Sequence, residues 1–139
     1  VRRFLPGVWL GLLLCVALIA TPAPFATLAP EDAGRVVRRI FAIEAPTSLL
    51  LGMLLLFLER RAGLARHLAG QGSQATGEMM LVLGALFCTV MGYYGLQPAL
   101  EQARAAGPSG GFGHLHAASV ALFGLKGLLV LVLAWKAAR

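Results

Sequence analysis

Two charged side chains, Glu44 and Lys126, stand well inside long apolar stretches of this 139-residue sequence. A lysine near the centre of a membrane helix costs about 2.5–3.5 kcal/mol on insertion scales, so its position calls for compensation. Either its stem reaches headgroups or bonds to carbonyls and hydroxyls inside a bundle, or it works as an ionisable group that attracts an anion or moves protons. His116, Ser119, Phe123 and Lys126 recur at helical spacing, which places all four along one broad side of a helix expected to face inward. Glu44, Ser48 and Gly52 form a second, narrower stripe by the same spacing. Glu44, Ser48, His116, Ser119 and Lys126 are therefore the candidate polar cluster, structural or functional. Depth counted from the start of each apolar stretch puts Glu44 and His116 at similar shallow levels and Lys126 about 10 Å deeper. The expected partner of Glu44 is thus His116 rather than Lys126.

Other chemistries find little support. Cys15 and Cys88 lie in apolar runs, where they serve as small hydrophobes at helix interfaces, and the sequence has no CxxC, no CxxCH and no zinc-ligand spacing. His67 falls on the opposite membrane side from His114 and His116, and the latter two, two residues apart, do not share a helix face. Haem ligation by two histidines of one chain is not supplied by this distribution. No Asp, Cys or hydroxyl group stands with Glu44, His116 and Lys126 in a pattern specific to a nucleophile. The expectation is no enzyme, no catalytic residue, no cofactor and no metal site.

The elements that must hold these residues follow from composition. Apolar residues make up 58% and charged residues 13%, with a mean hydropathy of +0.78; a soluble domain carries about 25% charged residues. A chain this small has no interior large enough to hide that much apolar surface from water, so lipid solvates it. Residues 4–30 and 79–100 carry no charge and 115–135 only Lys126, each long enough for about 30 Å of hydrocarbon. Four helices are predicted, 4–24, 40–59, 79–98 and 115–136, in a single transmembrane domain, residues 1–139, of all-α class folded as an antiparallel four-helix bundle. A secretory signal peptide is the rival reading of the first segment, with Arg2 and Arg3 ahead of the apolar run. Residues 29–39 form an amphipathic lead-in to the second helix.

Small residues four apart permit the close backbone approach that drives helix association in lipid. Gly7 and Gly11, Ser48 and Gly52, Gly84, Cys88 and Gly92, and Ala117 and Ala121 have that spacing. Pro22 and Pro24 are expected to end or kink the first helix, Pro46 to sit in the first turns of the second, and Pro98 to end the third. Gly107, Pro108, Gly110, Gly111 and Gly113 make a flexible turn before the last helix. Trp9, Trp135, Tyr93 and Tyr94 suit interfacial anchoring. The net charge of +6 arises mainly from Arg and Lys at membrane boundaries, where lipid headgroups account for it without nucleic acid. The side carrying both termini and the middle loop holds Arg2, Arg3, Arg60, Arg61, Arg66, Lys136 and Arg139, against Arg35, Arg38, Arg39 and Arg104 on the other, so both termini are expected in the cytoplasm.

Several stretches together resemble a known family: Gly7, Trp9 and Gly11 in the first helix, Pro22 to Leu28, the run Ala33, Gly34, Arg39, Ile40, Phe41, and Leu115, His116 and Ser119 opening the fourth helix. They are similar to the four-helix membrane proteins typified by TMEM205-like and DUF4149 domains, and the resemblance covers nearly the whole chain. In that family an Asn usually follows the Ser of the fourth helix by four residues; here that place is Phe123. The resemblance implies the four-helix fold and names no reaction and no cofactor. The leading functional expectation is a non-enzymatic protein of the bacterial inner membrane, an accessory or structural subunit that packs in lipid against a larger complex or a second copy of itself. The alternative is a small dimeric transporter or proton-coupled carrier that uses Glu44, His116 and Lys126.

Overall fold

The computed structural model describes residues 1–107 and 110–139; Pro108, assigned above to the turn, lies outside the described residues. The first span joins α1 (Leu5–Cys15), a wide π-helical turn (Val16–Ala20) and α2 (Pro22–Thr27). The second is one long helix, α3 (Pro30–Leu68). The third joins α4 (Gly77–Thr89), a second π-helical turn (Val90–Gly95) and α5 (Gln97–Ala105), and the fourth is α6 (Phe112–Ala138). All four spans are long and apolar enough to cross a membrane, and among the described residues there is no strand. The protein is an all-helical, multi-pass membrane protein.

The helices outrun the predicted spans because an uncharged window marks hydrocarbon, whereas a helix stops only where its signals end. In α3, Pro30 occupies the first turn, where its missing N–H costs nothing, with Glu31 and Asp32 complementing the positive helix end. Arg66 and His67 sit in the last turn, and Gly70, at a φ of +72°, follows the helix in a conformation suited to glycine. The start at Pro30 places Pro46 well inside α3, not in its first turns. Nor does Pro98 end the third span. It lies in the first turn of α5, so the chain continues beyond it as helix. Pro22 and Pro24 likewise open and occupy α2 after the π turn.

The spans alternate in direction. Near one end, Arg2 of the leading segment lies 3.6 Å from Glu59 late in α3, and Lys136 late in α6 lies 3.6 Å from Glu78 at the start of α4. In that half Trp9 and Leu13 of α1, Leu55 of α3, Val82, Ala85 and Leu86 of α4, and Val130 and Leu133 of α6 interlock as the core. Lipid chains are as apolar as these side chains, so contact density, rather than escape from water, holds the helices together. Three of the predicted packing glycines lie at close contacts. A Cβ at Gly52 would stand 2.5 Å from Leu86 Cδ2 and 3.0 Å from Trp9 Cη2; at Gly84 it would stand 3.0 Å from Leu129 Cδ1, and at Gly92 3.2 Å from Leu122 Cβ.

Gly7 and Gly11 differ: a Cβ at either meets nothing within 4 Å, so they mark no close approach among the described residues. Trp9 also departs from its expected interfacial place. It is fully buried in the core, whereas Trp135 is 63% exposed. Leu18, Leu50, Phe57 and Leu128 point outward, as lipid-facing positions do.

Candidate functional site

Glu44 follows Pro30 by fourteen residues and Lys126 follows Phe112 by fourteen. At 1.5 Å per residue each lies about 21 Å into its helix, so two helices that begin at the same end bring them level. Lys126 Nζ donates to Glu44 Oε1 at 2.8 Å, and both side chains are only 3% exposed. The expected pairing of Glu44 with His116 is therefore not the one formed. Its error was to count depth from residue 40, whereas α3 is already helical from Pro30.

Further bonds extend the pair across the bundle. The Ser48 hydroxyl donates to the same Glu44 oxygen, and Trp9 Nε1–H donates to Ser48 Oγ at 2.9 Å. One buried chain of contacts thus ties α1 to α3 and α3 to α6. Phe123, in the place where the resembling family carries Asn, offers its ring to the ammonium, with Nζ 4.8 Å from the centroid. Phe41 meets that ring edge to face at 5.6 Å. A charged pair withdrawn from water needs this density of partners to offset its lost hydration.

The pair is the floor of a cavity of about 820 Å³, within the size range of small-molecule sites. Cys88 and Thr89 of α4 line it near the pair, and Phe41, Tyr93, Val120 and Phe123 form much of its apolar wall. Towards the helix starts it is lined by Glu31, Arg35, Arg38, Arg104 and His116. Arg35 bonds to Asp32, and the Arg104 guanidinium lies 5.0 Å from the centroid of the Phe112 ring. No carboxylate pairs with Arg38 or Arg104 among the described residues.

Of the five candidate polar residues, Glu44, Ser48 and Lys126 are joined directly. Ser119 donates to the Gly92 carbonyl at 3.3 Å, and His116 stacks on Phe112 with centroids 5.7 Å apart; both line the cavity without touching the pair. His116, Ser119, Phe123 and Lys126 all border the cavity, as their shared helix side requires. Sequence reasoning assigned no site role to Trp9, Arg38 or Arg104. The available signal for Trp9 was its place in an uncharged helix, which equally suits a lipid-facing indole; arginines at a span boundary read first as headgroup contacts. Cys15 and Cys88 are unbridged, and no group of three or more His, Cys, Asp or Glu residues gathers to hold a metal ion among the described residues.

One family's sequence model matches residues 4–109; its description is Domain of unknown function (DUF4149). The matched stretch contains Trp9, Glu44 and Ser48 and ends before α6, which carries Lys126. No curated protein and no solved structure matches the chain.

Proposed function

The chain belongs to the DUF4149 family, and we propose that it is a small proton-coupled carrier of the bacterial inner membrane, non-enzymatic and working as a dimer. The observation that carries this reading is the cavity of about 820 Å³ whose floor is the buried Lys126–Glu44 pair. An ionisable residue placed at that depth and lining a cavity fits a solute or proton path. In this reading solute enters from the end where α3 and α6 begin, past His116, and occupies the space above the pair. Solute and proton meet at one place, the bonded pair at the cavity floor, so occupancy of the cavity and the state of that bond change together. With both termini in the cytoplasm, as the positive-inside count favours, the cavity faces the periplasm.

The test uses proteoliposomes loaded with a pH-sensitive dye and challenged with organic anions, organic cations and neutral amphiphiles. At least one class is expected to drive proton movement with the wild type and not with Lys126→Ala. Equal movement by both proteins removes Lys126 from the mechanism, and no movement with any class overturns the carrier reading. A second reading, an accessory subunit or homo-oligomer packed against a membrane partner, is favoured by Gly7 and Gly11. They form an exposed small-residue row on α1 that nothing among the described residues covers.

A further inference from the structure

We infer that the cavity takes a single-chain amphiphilic anion, a carboxylate or phosphate head on one apolar body, with the head at the arginines and the body pointing towards the Lys126–Glu44 floor. The inference rests on the carrier reading and supplies its substrate class. Charge decides the direction in which the ligand lies. At the floor Lys126 is bonded to Glu44, and that pair presents no net charge to an incoming ion. At the other end Arg35 is engaged by Asp32, while Arg38 and Arg104 pair with no carboxylate among the described residues, and Glu31 is the single carboxylate lining that end beside the three arginines. The start of α6 adds to this surplus: Phe112 lines the cavity, and the helix has neither a side-chain cap nor an acidic residue in its first turn. Its first N–H groups and the positive end of its dipole therefore favour an anion near Arg104.

Between the two charged levels the wall is mostly apolar, with Val37, Phe41, Val120 and Phe123 along α3 and α6 and Ser119 among them. A small inorganic anion would leave that wall unfilled, and a cation would meet the arginines first. The length of the body follows from the helices. Arg38 to Glu44 spans about 9 Å along α3, and His116 to Lys126 about 15 Å along α6. That room matches one chain of medium length.

The experiment places the full-length chain, with Trp135→Phe so that buried Trp9 is the sole tryptophan, in nanodiscs of phosphatidylcholine. Trp9 reaches the floor through Ser48 and Glu44, so a brominated chain tip arriving there quenches its fluorescence. The probes are ω-bromoundecanoate, the ω-bromoundecanol of the same length, and an ω-bromoundecyl trimethylammonium. Saturable quenching by the carboxylate alone is expected, weakened about tenfold by each of Arg38→Gln and Arg104→Gln. Both substitutions lie at the mouth, away from the bundle core, and unchanged thermal unfolding of each variant verifies that the fold survives. Equal quenching by the alcohol or the ammonium overturns the anion assignment while leaving a ligand-binding carrier intact. Quenching by none of the three overturns the anion assignment, and the proton-movement assay then decides the carrier reading separately. Loss of the carboxylate signal in discs rich in phosphatidylglycerol, with no loss in phosphatidylcholine, assigns the mouth to a bilayer lipid headgroup and overturns a single-chain occupant.

Discussion

Removing one partner of the Lys126–Glu44 pair should cost far more than removing both. Lys126→Met leaves the Glu44 carboxylate at a site 4% exposed, with Ser48 as its remaining donor. Glu44→Gln leaves an ammonium facing a neutral amide and the Phe123 ring. Breaking a buried pair from one side costs about 3–5 kcal/mol, whereas exchanging the whole pair for uncharged groups of similar volume is near neutral or stabilising. In a bilayer the unfolded reference state finds partners too, which pulls these losses towards the lower bound. Each single variant should therefore lose about 3 kcal/mol, and the double variant Glu44→Gln with Lys126→Met about 1 kcal/mol or less. The coupling energy is then roughly 5 kcal/mol, read from SDS titrations in mixed micelles with helicity followed by circular dichroism. Single losses that add in the double variant within about 0.5 kcal/mol would refute the claim that the two charges stabilise each other across α3 and α6.

Other consequences are simpler to measure. Ser48→Ala removes the acceptor of the Trp9 indole N–H inside the core and should cost about 1–3 kcal/mol, with a shift in Trp9 emission once Trp135 is replaced by Phe. Gly52→Val forces a side chain against Leu86 and Trp9; about 1–3 kcal/mol should be lost, and unfolding curves matching wild type would show that α1 and α4 can yield there. Gly7→Leu and Gly11→Leu enter open space and should leave chain stability within about 0.5 kcal/mol, while crosslinking in native membranes should fall if that face meets a partner. Lys136→Ala removes a partly exposed ion pair with Glu78 and should cost less than about 1 kcal/mol, less still at high salt.

The spans and the inward side of α6 were legible in the sequence, because uncharged length and 3.6-residue periodicity are local properties. The partner of Glu44 was not, since it depends on where α3 begins, and the helix starts ten residues ahead of the stretch that hydropathy marks. The small-residue spacing was equally ambiguous. Gly7 and Gly52 carry the same signal, yet only Gly52 meets a neighbouring helix, because which face of α1 turns inward is fixed by Trp9 and Leu13. The cavity itself was invisible, as a void between helices leaves no mark on any one of them. Arg38 and Arg104, far apart in the chain, come to line one cavity only in the folded bundle.

The two π-helical turns divide the molecule. The core lies on the side of α1 and α4, whereas most of the cavity lining supplied by the first and third spans, from Ala17 to Phe25 and from Gly92 to Arg104, lies within or beyond Val16–Ala20 and Val90–Gly95. A π turn holds one residue more than the regular repeat and resets the azimuth of everything after it. Were Val90–Gly95 wound as ordinary α-helix with every residue kept, Leu100 and Arg104 would swing by about 100°, turning the arginine out of the binding space; deleting one residue there would restore the ordinary winding and leave their azimuth nearly unchanged. Each wide turn is in that sense an absorbed insertion, one codon taken up within a span while the side chains that follow keep their places around the hollow half of the bundle.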